Sequence, residues 1–103
     1  MLAIPRGKEI VVYASVRRYE GNAELAGQLK SRADEVRSVV GDIPGFHAYF
    51  LVDAGGDTVS ISIFDDEAGA QQSNEAAAAW VKENVPNLPA PPEISAGEVL
   101  LQL

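Results

Sequence analysis

Residues 41–50 read GDIPGFHAYF, and this stretch predicts where a helix gives way to a sheet. Pro44 cannot continue a helix, and Gly45 allows a turn that a side chain would oppose. Gly41 can end the preceding helix in the left-handed conformation. Apolar and aromatic residues from Phe46 to Val52 then predict a strand. The stretch therefore joins a helix to the first arm of a β-hairpin.

The residues downstream complete this hairpin and begin a second helix. Residues 54–57 read AGGD, a turn in which glycine takes positive φ at low cost. A strand is predicted over 58–64. Asp65 and Asp66 complement the positive N-terminal end of a helix dipole, so a helix is predicted over 67–84.

The residues upstream predict a first strand and a first helix. Residues 9–19 are rich in β-branched and aromatic side chains, as strands are. Residues 23–40 carry apolar side chains every three or four positions, which predicts one amphipathic helix with Asn22 as its N-cap. A last strand is predicted over 93–101.

The resulting order is β-α-β-β-α-β, which predicts an α+β, ferredoxin-like fold. Its antiparallel sheet carries two helices on one face. The strands nevertheless have apolar residues on both faces, whereas a sheet with one face in water alternates more cleanly. A second copy packed on the open face explains this pattern, so we expect a homodimeric α/β barrel.

Composition limits the classes of function. A chain of 103 residues predicts a single domain over 1–103. A net charge of −7 disfavours nucleic acid as a partner, and no apolar run is long enough to span a membrane. There is no cysteine and only one histidine, so neither a metal site nor another cofactor is expected. We expect a cytoplasmic protein.

Four short segments resemble the dimeric α/β-barrel proteins of the antibiotic-biosynthesis-monooxygenase-like superfamily. They are YEG at 19–21, IPGF at 43–46, SISIFDD at 60–66 and WVKEN at 80–84. The resemblance covers nearly the whole chain. It implies a homodimer whose two sheets form a barrel, with any active site between the helices and the sheet of each subunit. Activities in the family include cofactor-independent oxidation of polycyclic aromatics, haem degradation and isomerisation.

The chain departs from this family at the residues credited with chemistry. Quinone-forming members carry an Asn and a Trp four apart on the third strand, where this chain has Ser60 and Phe64. Haem-degrading members use an Asn on strand one and a Trp and a His on the second helix. Those helix positions fall near Ser73 and Asn84, and strand one has no Asn. Neither set of residues carries over.

Four side chains are the candidates if the resemblance extends to catalysis. Tyr49 would be the hydrogen-bonding group, His47 the general base, Arg17 the partner of a substrate anion and Trp80 a stacking wall. His47 also has a plainer interpretation, as a rim residue that follows a turn.

A ligand pocket is predicted where the second helix crosses the third strand. Ser60 and Ser62 are small and polar where a core would use Val or Ile, and residues 76–79 above them are all Ala. Such small residues either leave a cavity or allow close packing of helix on sheet. The candidate pocket residues are Tyr13, Ser60, Ser62, Phe64, Asn74 and Trp80.

The resemblance implies a small-molecule-binding protein similar to cofactor-independent monooxygenases that act on apolar aromatic compounds. The substrate itself would then reduce oxygen, while the protein holds it away from water. The alternative is a non-catalytic dimeric domain for ligand sensing or assembly. The sequence leaves open whether the chain is an enzyme.

Overall fold

A computed structural model describes residues 12–88 and 90–103. Within those ranges the chain forms four strands and three helices. In chain order they are β1 (Tyr13–Tyr19), α1 (Ala23–Ser31), α2 (Ala33–Gly41), β2 (Phe46–Asp53), β3 (Thr58–Phe64), α3 (Glu67–Asn84) and β4 (Glu93–Glu98).

The strands form one antiparallel sheet in the order β2-β3-β1-β4. This order agrees with the predicted ferredoxin-like fold. Part of the first predicted strand, residues 9–11, lies outside the described residues. β4 ends at Glu98, before the predicted Leu101, although Val99 N–H still donates to the carbonyl of Val12 at 2.8 Å.

The prediction of one helix over 23–40 is wrong, because Arg32 separates α1 from α2. Arg32 has φ −117° and ψ 37°, outside the helical region. Its guanidinium lies 5.0 Å from the centroid of the Trp80 ring and donates to Asn84 at 3.1 Å and to Glu35 at 2.6 Å. The contacts with Trp80 and Asn84 involve residues distant in sequence, so a periodicity argument does not detect the break.

The turn at 41–46 forms as predicted at Gly45, but the expectation that Gly41 ends the helix in the left-handed conformation is wrong. α2 ends at Gly41, and the following Asp42 keeps a right-handed conformation. Positive φ occurs instead at Gly45, at 85°. The carbonyl of Gly45 accepts from Asp65 N–H at 2.8 Å, which fixes the start of β2 beside the end of β3.

The start of α3 agrees with the prediction of a helix over 67–84. Asp66 is the N-cap, and its side chain accepts from Gly69 N–H at 2.9 Å. Gly69 is buried against the Phe64 ring, so closely that a Cβ placed on Gly69 would lie 2.9 Å from a ring carbon. The missing side chain therefore lets α3 approach the sheet.

The two faces of the sheet differ in cover and in chemistry. Buried and half-buried residues alternate along β3, so the helices cover a single face. The covered face is unusually polar at its centre, where Ser15, Arg17, Ser60 and Ser62 are all buried. No helix of the described residues covers the opposite face, which is apolar: it carries Val16, Phe50, Val52, Val59, Ile61 and Ile63.

Candidate ligand-binding site

Arg17 is the centre of the buried polar cluster. It comes from β1, it is 1% exposed, and it is the largest fully buried side chain of the described residues. On the sheet, its Nε donates to Ser60 Oγ at 3.0 Å and its Nη2 to Ser62 Oγ at 2.6 Å. Both serines lie on β3, and Ser60 pairs directly with Arg17.

Helix α3 completes the environment of the guanidinium. Arg17 Nη1 donates to Ser73 Oγ at 3.3 Å and to Asn74 Oδ1 at 2.7 Å. The same Asn74 oxygen accepts from Ser15 Oγ at 2.5 Å, while Ser73 Oγ donates to the carbonyl of Ala70 at 2.6 Å. Residues of two strands and one helix therefore hold the guanidinium in one orientation.

The acceptors of Arg17 are all neutral. They are hydroxyl groups and one amide oxygen. Among the residues that the structure describes, no carboxylate forms an ion pair with Arg17. Desolvation by burial lowers the pKa of Arg17, an effect partly offset by Tyr19 and Tyr49. Burying a charge without an opposite charge is costly, which sets this group apart from an ordinary core residue.

A small cavity lies beside the guanidinium, with a volume of about 30 Å³. Its polar lining comes from Arg17, Tyr19, Tyr49 and Ser60, and Trp80 closes it on the side of α3. Burial raises the pKa of both tyrosines. Phenols with raised pKa keep their protons at neutral pH and remain hydrogen-bond donors. The small residues of β3 and α3 thus accommodate the Arg17 side chain and leave only a small void.

A larger open groove of about 790 Å³ lies next to this cavity, between α1, α2 and β2. Leu29, Val36, Val40 and Tyr49 line both the cavity and the groove. The remaining groove residues are mainly apolar: Ala33, Phe46 and Leu51 lie on its helix side, and Ala48 and Phe50 lie at its rim, on the opposite face of the edge strand β2. The groove falls within the roughly 300–1,000 Å³ that is usual for small-molecule sites.

The structure brings together several of the predicted site residues. Arg17, Tyr49, Ser60 and Trp80 all line the cavity. Ser62 and Asn74 contact the guanidinium instead of the cavity.

Other predicted residues lie elsewhere. Phe64 is buried in a separate apolar cluster with Ile43 and Ala70, and Tyr13 packs against that cluster. His47 lies at a bulge of β2, where its Nε2 contacts Asp65 Oδ1, and both side chains are largely exposed. The structure therefore does not place His47 with Arg17 and Tyr49.

Sequence reasoning missed Tyr19 and Ser73 as residues of the site, whereas Ala77 belongs to the run of alanines expected beside Ser60 and Ser62. Tyr19 shares the face of Arg17 on β1, so strict alternation along this strand was a usable signal. Ser73 and Ala77 are four apart on α3 and face the sheet, but the weak apolar pattern of this helix did not define its buried side.

Two negative observations apply to the described ranges alone. Across residues 12–88 and 90–103, no three His, Asp or Glu side chains are grouped so that they could hold a metal ion. No helix in those ranges has both the length and the apolar character needed to cross a membrane.

Known structures share this fold. A protein of unknown function from Nitrosomonas europaea, NE2512, is 24% identical, with a TM-score of 0.71 over 91% of this chain and 94% of that one. Rv0793 from Mycobacterium tuberculosis is 14% identical, with a TM-score of 0.65 over 88% and 97% of the two chains. A monooxygenase from Streptomyces coelicolor, solved in complex with nanaomycin D, is 16% identical, with a TM-score of 0.61 over 90% and 89%.

These likenesses show that the chain has the fold of the antibiotic-biosynthesis-monooxygenase-like proteins, as its sequence segments suggested. No family model matches the sequence, and no curated protein does either. At such identities the likeness concerns the fold, and function has to be argued from the site.

Proposed function

We propose that this protein binds a small, apolar, ring-containing molecule in the groove between α1, α2 and β2. The observation that carries the proposal is the continuity of this groove with the cavity at Arg17, through Leu29, Val36, Val40 and Tyr49. An apolar groove that ends at a few oriented polar groups is the usual form of a small-molecule site. The groove supplies the contact area, and Arg17 and Tyr49 supply orientation.

A second candidate function is oxidation of the bound compound without a cofactor, which the family resemblance implies and which agrees with the description of one structure of this fold as a monooxygenase. An enolisable ring ketone such as anthrone suits this chemistry. Loss of a ring proton gives an enolate, which transfers electrons to O₂, and anthrone plus O₂ then yields anthraquinone plus water. Tyr49 and Arg17 would stabilise the enolate oxygen. His47 does not line the cavity and contacts Asp65 instead, so the ring proton would pass to solvent water in this arrangement. The described residues of the cavity lining include no histidine or carboxylate, which favours binding without catalysis.

Tryptophan fluorescence tests the binding proposal directly, because Trp80 is the only tryptophan of the chain and lines the cavity. We expect anthrone to change the Trp80 emission with saturation. Ala77→Leu fills the cavity and should weaken this binding at least tenfold. Ala79→Leu is the matched control, since Ala79 is exposed on the same helix. Equal affinity of both variants and the parent would refute a site at the cavity.

The same mixture under air tests the second candidate. Formation of anthraquinone faster with protein than without it would support the oxidase activity, provided that Ala77→Leu abolishes the difference. Saturable binding without faster quinone formation would favour the non-catalytic, ligand-sensing role.

We also propose that the protein is a homodimer joined through the apolar face of the sheet. Phe50 and Val52 on this face are 54% and 41% exposed, more than a core side chain retains. A two-fold pairing would bury them against the same residues of a second copy. A single domain over 1–103 and a cytoplasmic location stay predictions of the sequence.

A further inference from the structure

We infer that the ligand carries one small anionic oxygen group, a carboxylate or a phenolate, which Arg17 receives in the cavity. This inference rests on the proposed function and deepens it. It specifies the charge and the size of the part of the ligand that enters the cavity.

The charge follows from what surrounds Arg17. Its hydrogen-bond acceptors in the described part of the chain are neutral, so they orient the guanidinium without balancing its charge. The bonds of Arg17 to neutral acceptors are already charge-assisted, but only an anion brought to the guanidinium would compensate its buried charge. The cluster therefore favours an anionic ligand over a neutral one of the same shape.

The donors of the site also have capacity for an anion. A guanidinium has five N–H groups: four are engaged by Ser60, Ser62, Ser73 and Asn74, and the neutral Tyr19 hydroxyl, which also hydrogen-bonds to the guanidinium, is the acceptor that an incoming anion would replace. The hydroxyls of Tyr19 and Tyr49, whose pKa values burial raises, are protonated donors in the same cavity lining. An oxygen anion placed there would accept from Arg17 and from at least one phenol.

The groove shows the same charge preference. Its lining includes two cations, Lys30 and Arg37, and one carboxylate, Asp42, although the whole chain has a net charge of −7. Together with Arg17 the site carries three cations and one anion. A local excess of positive charge in an acidic protein raises the local concentration of anionic ligands.

The size follows from the volume of the cavity. A volume of about 30 Å³ holds about two water-sized groups, since one water needs roughly 10–15 Å³ by this measure. One phenolate oxygen or the two oxygens of a carboxylate fit this space. A sulfonate or phosphate has more heavy atoms than the cavity accommodates, and the rings of the ligand remain in the groove.

Calorimetric titration with matched naphthalene compounds tests the inference. We expect 2-naphthoate to bind at least tenfold more tightly than 2-naphthalenemethanol, its neutral analogue, and more tightly than 2-naphthalenesulfonate. Equal affinities of the naphthoate and the alcohol would overturn the inference and leave the proposed function standing. Binding of neither compound would overturn both.

Two variants identify Arg17 as the source of the preference. Asn74→Asp gives the guanidinium a carboxylate partner without removing it, and Arg17→Met removes the charge at similar volume. Each should lower the naphthoate affinity at least tenfold and lower the alcohol's affinity by a much smaller factor, so that the ratio of the two affinities falls. Far-ultraviolet circular dichroism checks that each variant is folded. A naphthoate preference retained in either folded variant would contradict the inference.

A spectroscopic measurement distinguishes a phenolate from a carboxylate ligand. 4-Nitrophenol absorbs at a longer wavelength when ionised, so a bound phenolate is visible below the pKa of the free phenol. We expect the ionised band to increase on adding protein at pH 6, and not on adding Arg17→Met. If 4-nitrophenol does not bind while 2-naphthoate binds tightly, the site takes carboxylates. If 4-nitrophenol binds but remains neutral, the site does not select an anion.

Discussion

Arg17 of β1 and Asn74 of α3 are 57 positions apart in sequence, and the Arg17 Nη1 donates to the Asn74 Oδ1 at 2.7 Å. The same oxygen accepts from Ser15 Oγ at 2.5 Å. One amide group therefore joins the helix to two residues of the strand and fixes the direction of the guanidinium.

Asn74→Ala should destabilise the protein by about 1 to 3 kcal/mol, because hydrogen bonds to a charged group are worth roughly 1.5–3 kcal/mol. Alanine is the better helix former, which offsets part of this loss. The measurement is urea unfolding at neutral pH. Gln72→Ala is the control, since Gln72 is exposed on the same helix. A loss no greater than that of the control would contradict the proposed role of Asn74.

Ser62→Val should also destabilise the protein, although valine forms strands better than serine does. The change removes the 2.6 Å hydrogen bond from Arg17 Nη2 and places extra methyl groups in a fully buried position. Overpacking typically costs about 1–3 kcal/mol, so a total of roughly 2 to 5 kcal/mol is expected.

The control for this change is Ala96→Val on β4, an exposed position that pairs with Ser15 and lies on the sheet face opposite the proposed dimer interface. Its effect should stay within about 0.5 kcal/mol. Chemical denaturation of the two variants side by side gives the comparison. If the two substitutions changed the free energy of unfolding equally, strand propensity would account for the effect of Ser62→Val, and the Arg17 cluster would not be needed to explain it.

Gly69→Ala and Gly27→Ala should change the stability of the protein in opposite directions, although both glycines lie in helices. A Cβ at Gly69 would lie 2.9 Å from the Phe64 ring, whereas a Cβ at Gly27 meets nothing within 4 Å. Gly27→Ala should stabilise by about 1 kcal/mol through helix propensity, and Gly69→Ala should destabilise by about 1 to 2 kcal/mol. Thermal unfolding measures both, and a stabilising Gly69→Ala would refute the close approach of α3 to β3.

The fold was largely predictable from local signals, whereas the site depends on contacts between distant segments. The Pro44-Gly45 turn and the Asp66 cap are local, and they form at the predicted positions. The break at Arg32 and the cluster around Arg17 arise from contacts across the fold. Alternation along each strand places Arg17 beside Ser60 and Ser62 only when the register of β1 against β3 is known, and register is not a local property.

Glu93→Gln should stabilise the protein at pH 7 and have no effect near pH 4. Hydrogen bonding to Glu93 and repulsion by its charge raise the pKa of the exposed Glu20 carboxyl above its ordinary value of 4.5. The folded state therefore holds the Glu20 proton more tightly, so stability falls as pH rises through this window. The glutamine amide removes the repulsion and donates to the Glu20 carboxylate.

Urea midpoints at both pH values check this prediction, with Glu98→Gln on the same strand as the control. The gain should shrink at high salt, since both groups are exposed. An equal gain at pH 4 and pH 7 would contradict repulsion between Glu20 and Glu93 as its source.

Ile61→Lys should convert the proposed dimer to a monomer, because Ile61 lies in the middle of the apolar sheet face between Val16 and Phe50. Burying a lysine charge in an apolar interface costs several kcal/mol, enough to separate two copies. Sedimentation velocity at micromolar concentration measures the mass. Glu24→Lys on the surface of α1 is the control and should remain dimeric. A monomeric parent protein would refute the proposed dimer.

A crystal structure of the protein with 2-naphthoate would show whether Arg17 receives an anion. We expect the rings in the groove beside Leu51 and Val36, with a carboxylate oxygen about 2.7–2.9 Å from a guanidinium nitrogen of Arg17. A naphthoate whose carboxylate points to solvent, or which binds away from Tyr49 and Trp80, would contradict this binding mode.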